Sequence, residues 1–268
     1  MVTQHEAPRT RRDEIRARVA ERGYVRIDEL AAEHGVSPMT IHRDLDDLQA
    51  SGWLRKVRGG ATAVPSSMHH GDVGHRLETM AHEKRLLARA ALAHIRPGDS
   101  VMVDESTTGL ALAELLPERA PLTVISHFLA LVNLLRGQPG LDLISLGGAY
   151  YPAYDAFLGL RTVDAVSSLR SSVLVSSTTA VTRGHCYHQS QETVAVKRAL
   201  MAAADKRLLL VDHTKFEKHG LHRLGPLTDF DIVIVDDGLD PAEVRRMRQD
   251  GVAVEVAPVR DTTADLSR

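Results

Sequence analysis

V-S-P-M-T-I-H-R-D-L-D-D-L, residues 36–48, describes a capped amphipathic helix with a small polar and cationic face. Ser37 is a good N-cap, and Pro38 falls at the first helical position, where its missing N–H costs nothing. At about 100° per residue, Ile41, Leu45 and Leu48 share one side, while Met39 and Arg43 face the other way, flanked by Thr40 and His42. One side packs, and the other is shaped to read base edges.

Any surface helix is amphipathic, so the neighbours carry the weight. Residues 12–22 place Ile15 and Val19 at helical spacing and stop at Gly23, and residues 27–34 form a second short helix ended by Gly35. Gly52 ends the third helix, and W-L-R-K-V-R-G-G-A at 53–61 mixes apolar and basic residues before a Gly-Gly turn, as a β-hairpin does. The order predicts a winged helix-turn-helix. Ser37, Pro38, Met39, Thr40, His42 and Arg43 then lie at the major groove, and Arg55, Lys56 and Arg58 of the wing meet phosphate. A small helical domain that binds protein fits the same pattern.

The chain of 268 residues has room for such a module plus a larger core-bearing domain. Its net charge is -2, yet arginines gather near the N-terminus and on the wing, so the basic character is local. The single cysteine, Cys186, excludes an intramolecular disulfide framework. It lies in H-C-Y-H at 185–188, where one soft ligand is too few for a closed zinc site, so it reads as a loop thiol. Without a signal peptide or an apolar run of membrane length, the expected setting is the cytoplasm, with no membrane partner.

Residues 64–75 are rich in Ser, Gly, His and Pro and read as a linker, followed by one long helix from Arg76 to Ile95. Beyond it the texture becomes strand and helix in turn. The runs S-V-M-V-D, L-T-V-I-S, L-D-L-I-S-L-G-G, S-V-L-V-S-S, R-L-L-L-V-D and D-I-V-I-V-D-D, mostly separated by helices, predict a Rossmann-like α/β domain over 76–258 with a mostly parallel sheet. Residues 259–268 read as a disordered tail. Ligands bind beyond the carboxyl ends of such strands. Those ends offer Asp104 with E-S-T-T-G at 105–109, Ser126-His127, Gly147-Gly148, S-S-T-T at 176–179, and Asp212 with Lys215. Together they suit a phosphate or a polyol, although Ser106 and Thr107 also suit a helix cap, Gly147-Gly148 a turn, and Asp212–Lys215 a surface pair. Neither a G-x-G-x-x-G after the first strand nor a G-K-[ST] occurs, so no nucleotide cofactor is expected.

The chain resembles the DeoR family of bacterial transcriptional regulators over nearly its full length. The resemblance rests on R-x-x-x-I at 11–15, V-S-x-x-T-I-x-R-D-L at 36–45 and R-K-V-R-G-G-A at 55–61, then on E-K at 83–84, P-G-D-S-V-M-V-D-E-S-T-T at 97–108, L-G-G at 146–148, E-T-V-A-V-K-R-A-L at 192–200 and V-D-H-T-K-F at 211–216. It implies a repressor of a carbohydrate or nucleoside catabolic operon, with a phosphosugar-isomerase-like effector domain, that leaves its DNA operator when a phosphorylated sugar binds; since one winged helix makes too few contacts for useful specificity, a homo-oligomer is expected. By the same resemblance Asp104, Ser106, Thr107, Thr108, Gly147, Gly148 and Lys215 line the effector site, with Ser126 and His127 beside them. The chain departs from the pattern at His42, where arginine is more frequent, and at Ser126-His127, where Thr-Asn is common. It departs again at Ser171-Ser172, where an aspartate is usual, and at 176–179, where a glycine-containing turn is expected. An isomerase would draw its base from Asp104, Asp212 or Glu192, none of which is marked as paired or tuned. A regulator without a metabolite effector is the remaining class.

Overall fold

The computed structural model describes residues 6–50, 54–63 and 73–257, in two compact units, Met1–Asp72 and Val73–Arg268. Trp53, most of the expected linker (64–72) and the expected tail lie outside the described residues.

The first unit runs α1 (Glu6–Arg22), β1 (Tyr24–Arg26), α2 (Ile27–His34), α3 (Pro38–Ala50), β2 (Leu54–Val57) and β3 (Gly60–Ala63). Ile15 and Val19 of α1, Leu30 of α2, and Ile41, Leu45 and Leu48 of α3 close over one core, as the periodicity predicts. Gly35 takes φ 61° at the end of α2, the left-handed geometry that turns the chain into α3. The wing is a hairpin, β2 against β3, extended into a three-stranded antiparallel sheet by β1, which pairs with β3.

The second unit begins with α4 (Val73–Glu78) and α5 (Ala81–Leu92). The expected single helix from Arg76 to Ile95 is therefore two, and the last three residues assigned to the linker, 73–75, are helical. The break falls at Met80, which adopts a left-handed φ of 54°. It is held by Lys84, whose ammonium donates to the carbonyl oxygens of Arg76 and, at 2.7 Å, Thr79, taking the place of the glycine that commonly closes a helix.

The chain then continues through β4 (Ser100–Val103), α6 (Thr107–Ala113), β5 (Leu122–Ser126), α7 (Leu129–Leu135), β6 (Leu141–Ser145), the hairpin β7 (Ala149–Tyr151) and β8 (Ala156–Leu158), α8 (Leu160–Ser167) and β9 (Ser171–Ser176). It ends with β10 (Ala180–Thr182), β11 (His185–His188), α9 (Gln191–Ala202), β12 (Ala204–Val211), β13 (His222–Pro226), β14 (Ile232–Val235), α10 (Pro241–Gln249) and β15 (Val254–Val256). Seven strands form one sheet in the order β15-β14-β12-β9-β4-β5-β6, and every pairing in it is parallel. Val101, Val103, Leu208 and Leu210 look into one buried cluster with α5, α6 and α7, while Met102, Leu174, Leu209 and Val211 look into another with α8, α9 and α10. Both faces are covered, which is why the strands read as continuous apolar runs.

Strand order reverses between β4 and β9. In a doubly wound sheet the crevice for a ligand opens at such a switch point, beyond the strand carboxyl ends. A smaller antiparallel sheet, β10-β11-β13, stands beside it. Cys186 belongs to β11 and is fully buried, so it is a core thiol and not a loop thiol, and burial pushes its pKa up to about 12.

Candidate functional site

On the first unit, Ser37 caps α3 by accepting from Thr40 N at 3.2 Å, and the Ser37 and Thr40 hydroxyls lie 3.0 Å apart. Met39 is 63% exposed, a large apolar side chain that the core has no use for, and Arg43 beside it is also exposed. Arg55 and Arg58 are exposed on the wing, the latter at its turn. Lys56 is different. Its ammonium meets Asp46 Oδ1 of α3 at 2.5 Å, and its backbone N–H donates to Gln49 Oε1 at 2.7 Å, so it seats the wing on α3 instead of reaching outward. The acidic run D-L-D-D is similarly engaged: Arg11 grips Asp44 through Nε at 2.6 Å and Nη2 at 3.3 Å, and Arg12 meets Asp47 at 2.7 Å. Two of the N-terminal arginines thus fix α1 on α3, and the outward cationic face is carried by Arg43, Arg55 and Arg58.

On the second unit the switch point is built around Asp104, which follows β4. Its Oδ2 accepts from Ser176 Oγ at 2.5 Å and from Ser177 N at 2.9 Å, both from the end of β9, and its Oδ1 accepts from Ser106 N at 3.0 Å. Lys197 of α9 inserts its ammonium between Asp104 and Glu105, bonding Asp104 Oδ2 and lying 3.2 Å from Glu105 Oε1. The other oxygen of Glu105 is 2.9 Å from His127 Nε2. All four side chains are buried. Burial opposes charge on Lys197, but the two carboxylates outweigh it and raise its pKa. Burial likewise opposes charge on Glu105, and Lys197 with His127 holds it well below the usual carboxylate range.

A second, cationic group adjoins this one. Lys84 is brought down to about 7 by burial first and by repulsion from Lys215 next, and Arg76 and Lys218 add to it. Lys215 is brought down to about 8 by burial, against the pull of Asp212 3.5 Å away. His188 of β11 lies within electrostatic reach of Lys197, Glu105, Arg76 and Lys215, so the two groups belong to one site, and burial lowers its pKa to about 3. Among the described residues the cluster gathers the cations Arg76, Lys84, Lys197, Lys215 and Lys218 with the carboxylates Asp104, Glu105 and Asp212. The site carries excess positive charge in a low-dielectric setting, which favours an anion. Among the described residues no group of three or more His, Cys, Asp or Glu side chains is placed to hold a metal ion.

The residues singled out from the sequence therefore divide. Asp104, Ser126, His127 and Lys215 sit at the strand ends, Ser126 donating to Val103 O at 2.7 Å. Ser106 is the N-cap of α6, its Oγ accepting from Gly109 N at 2.9 Å, and Thr107 donates to Arg76 O at 3.4 Å, tying α6 to α4. Thr108 is buried on α6. Gly147 O accepts from Thr162 Oγ1 at 2.9 Å, and a Cβ on Gly148 would overlap that hydroxyl and stand 2.8 Å from Leu158 O. Close packing against α8 accounts for Gly148, whereas a Cβ on Gly147 would meet nothing within 4 Å. Gly148→Ala is expected to cost about 1–3 kcal/mol through overpacking, read as a lower melting temperature of the full chain; an unchanged melt would show that α8 yields freely.

Glu105 stood among the strand-end residues at 105–109, and Lys84 and Lys197 within the motifs at 83–84 and 192–200, but none of the three was given a role in the site. For Lys197 a signal existed: Val194, Leu200 and Met201 of α9 are buried, and position 197 falls on their face. Lys84 likewise shares the buried face of Leu87 and Ala88.

A family described as the DeoR-like helix-turn-helix domain matches residues 11–67, and one described as the DeoR C terminal sensor domain matches residues 79–237. Over 253 residues the chain is 30% identical to an uncharacterized HTH-type transcriptional regulator, YgbI, of Escherichia coli, covering 93% of this chain and 98% of that protein. It is 31% identical to the glycerol-3-phosphate regulon repressor of Haemophilus influenzae, over 82% of this chain and 86% of that one. The lactose phosphotransferase system repressor of Staphylococcus epidermidis is 30% identical, over 85% and 91%. With a helix-turn-helix and wing in its first unit and buried cations near the sheet's switch point in its second, the chain belongs to the DeoR family of DNA-binding transcriptional regulators.

Proposed function

We propose that this protein represses a carbohydrate-catabolic operon and that a phosphorylated sugar, bound at the carboxyl edge of the parallel sheet, releases it from its operator. The observation that carries the effector is the pair Lys84 and Lys215, both lowered by burial, with Lys215 further depressing Lys84 and the carboxylate of Asp212 facing both. Two half-starved cations are what a phosphate dianion satisfies. Relatives named for a glycerol-3-phosphate regulon and a lactose phosphotransferase system support ligands of this class. Lys84 also supports the means of release. It holds the end of α4, the first helix after residues 64–72, and an anion that draws the ammonium off the Arg76 and Thr79 carbonyls loosens that end. The effector acts by its preference for one of the two arrangements.

In this reading residues 1–63 bind DNA, residues 64–72 connect, and the rest of the chain senses. The outward face of α3, with Met39, His42 and Arg43, reads bases, and Arg55 and Arg58 contact phosphate, with Ser37, Pro38 and Thr40 at the helix start. The protein works in the cytoplasm as a homo-oligomer, since one winged helix makes too few base contacts for useful specificity. We read it as a regulator and not an enzyme, since each carboxylate an isomerase would draw on is engaged: Asp104 by Lys197, Asp212 by Lys215, and Glu192 by Ser190 at 2.7 Å.

The test is a titration of the full chain against DNA from its own upstream region at fixed salt, with and without a panel of sugar phosphates. Specific binding that one of them weakens supports the proposal, and specific binding that none alters removes the effector. Arg43→Ala is expected to lose about 1–3 kcal/mol of specific binding, whereas Arg58→Ala weakens specific and non-specific binding alike and reduces the salt slope by about 1. Operator affinity unchanged in Arg43→Ala would remove the outward face of α3 as the reader.

A further inference from the structure

Two imidazoles of the cluster are enclosed by protein, and each leaves one ring nitrogen without a hydrogen-bond partner: Nδ1 of His127 and Nε2 of His188. A buried polar atom left unpaired is costly, and at the mouth of a parallel sheet a ligand group is the natural complement. For His127 the kind of complement is dictated by the other nitrogen. Nε2 lies 2.9 Å from Glu105 Oε2, and Glu105, held ionised by Lys197, can only accept, so Nε2 carries the hydrogen. A ring that carries its single hydrogen on Nε2 leaves Nδ1 as an acceptor, which a donating group completes. His188 has no such restriction, because the Thr179 hydroxyl 3.2 Å from its Nδ1 can donate or accept.

We infer that His127 is the specificity-determining residue of the effector site, reading the end of the ligand opposite its phosphate and admitting a hydroxyl there while rejecting a carboxylate or a carbonyl. The inference rests on the assignment of Lys84 and Lys215 as the phosphate end. Two further features sharpen the selection. The carboxylates of Asp104 and Glu105 repel an acidic ligand terminus, and the ammonium lodged between them, Lys197, is already bonded to Asp104, Glu105 and the carbonyl of Ser177. The ligand class is therefore a phosphorylated polyol with a hydroxyl at its far end.

Sorbitol 6-phosphate and 6-phosphogluconate match at every carbon but the first, which bears a hydroxyl in one and a carboxylate in the other. Calorimetry on the full chain, with inorganic phosphate as a third probe, tests the inference. The wild type should bind the alditol phosphate about tenfold or more tightly than the aldonate, the scale of one buried acceptor left unmatched. His127→Phe, which removes the acceptor, should collapse that ratio, and its affinity for inorganic phosphate reports any change at the anion end separately. His127→Asn, whose amide can also donate, should narrow it and serves as the second variant should the phenyl ring disturb packing. Equal ratios in wild type and both variants overturn the inference. Failure of the wild type to bind phosphate or either sugar overturns the anion site and this inference with it, whereas phosphate binding without discrimination overturns this inference alone.

Discussion

Lys197→Met should destabilise the second unit by about 3–5 kcal/mol, the penalty for removing one partner of a buried ion pair and leaving the other charged. For a domain of this size that is a fall of about 10 °C in melting temperature. Two carboxylates, Asp104 and Glu105, are buried against this one ammonium, so its loss strands both. Adding Asp104→Asn to Lys197→Met should recover part of the loss, because a neutral amide removes one stranded charge. In the wild type the linkage runs in both directions. Glu105 has a depressed folded pKa, so its contribution is present above its ordinary value of 4.5 and is lost as the pH falls through the folded value. Lys197 has a raised one, so its contribution is complete below its ordinary value of 10.5 and is lost only as the pH climbs through the folded value. The cluster is therefore intact throughout the neutral range. A Lys197→Met protein that melts within a degree or two of the wild type would mean that the carboxylates relax to solvent and that the node adds no stability.

Helix α3 was legible because each local rule agrees there: a serine cap, proline at the first position and an apolar stripe at helical spacing. The parallel sheet was legible for a related reason, since strands buried on both faces are continuous apolar runs. What escaped has local signals that are weak or point elsewhere. β1 is three residues, Tyr-Val-Arg, too short to show alternation. β11 is H-C-Y-H, polar at half its positions, and it is recruited by pairing with β10 and β13. The break between α4 and α5 carries neither glycine nor proline, and it is held by a lysine side chain reaching back to two carbonyls. At the site itself the strand-end residues were legible by position, whereas Lys84 and Lys197 come from helices and join it only through tertiary packing. His127 was legible as a strand-end residue, but its hydrogen bond to Glu105 was not.

Binding of a phosphorylated ligand should weaken steeply with rising pH, by about a hundredfold between pH 7 and 9, because the two lysines that meet it lose their protons in that interval. Lys84 titrates at about 7 and Lys215 at about 8, both lowered chiefly by burial. A bound phosphate opposes that burial penalty and raises both pKa values, so at pH 8 the complex takes up protons that the free protein lacks. Calorimetry in two buffers of different ionisation enthalpy, with glucose 6-phosphate as the probe, reads that uptake directly. Below about pH 6 the trend should level, since the phosphate itself gains a proton there. The free protein behaves in the opposite sense. The folded lysines release protons that the unfolded chain keeps up to 10.5, so their contribution to stability rises with pH from about 7 upward. Ligand and alkalinity are thus alternative ways of relieving the same buried repulsion, and Lys215→Met should imitate the second while abolishing the first. A ligand affinity that stays flat from pH 7 to 9, or a binding enthalpy that does not change with buffer, would place the anion away from Lys84 and Lys215 and would leave α4 without its link to the effector.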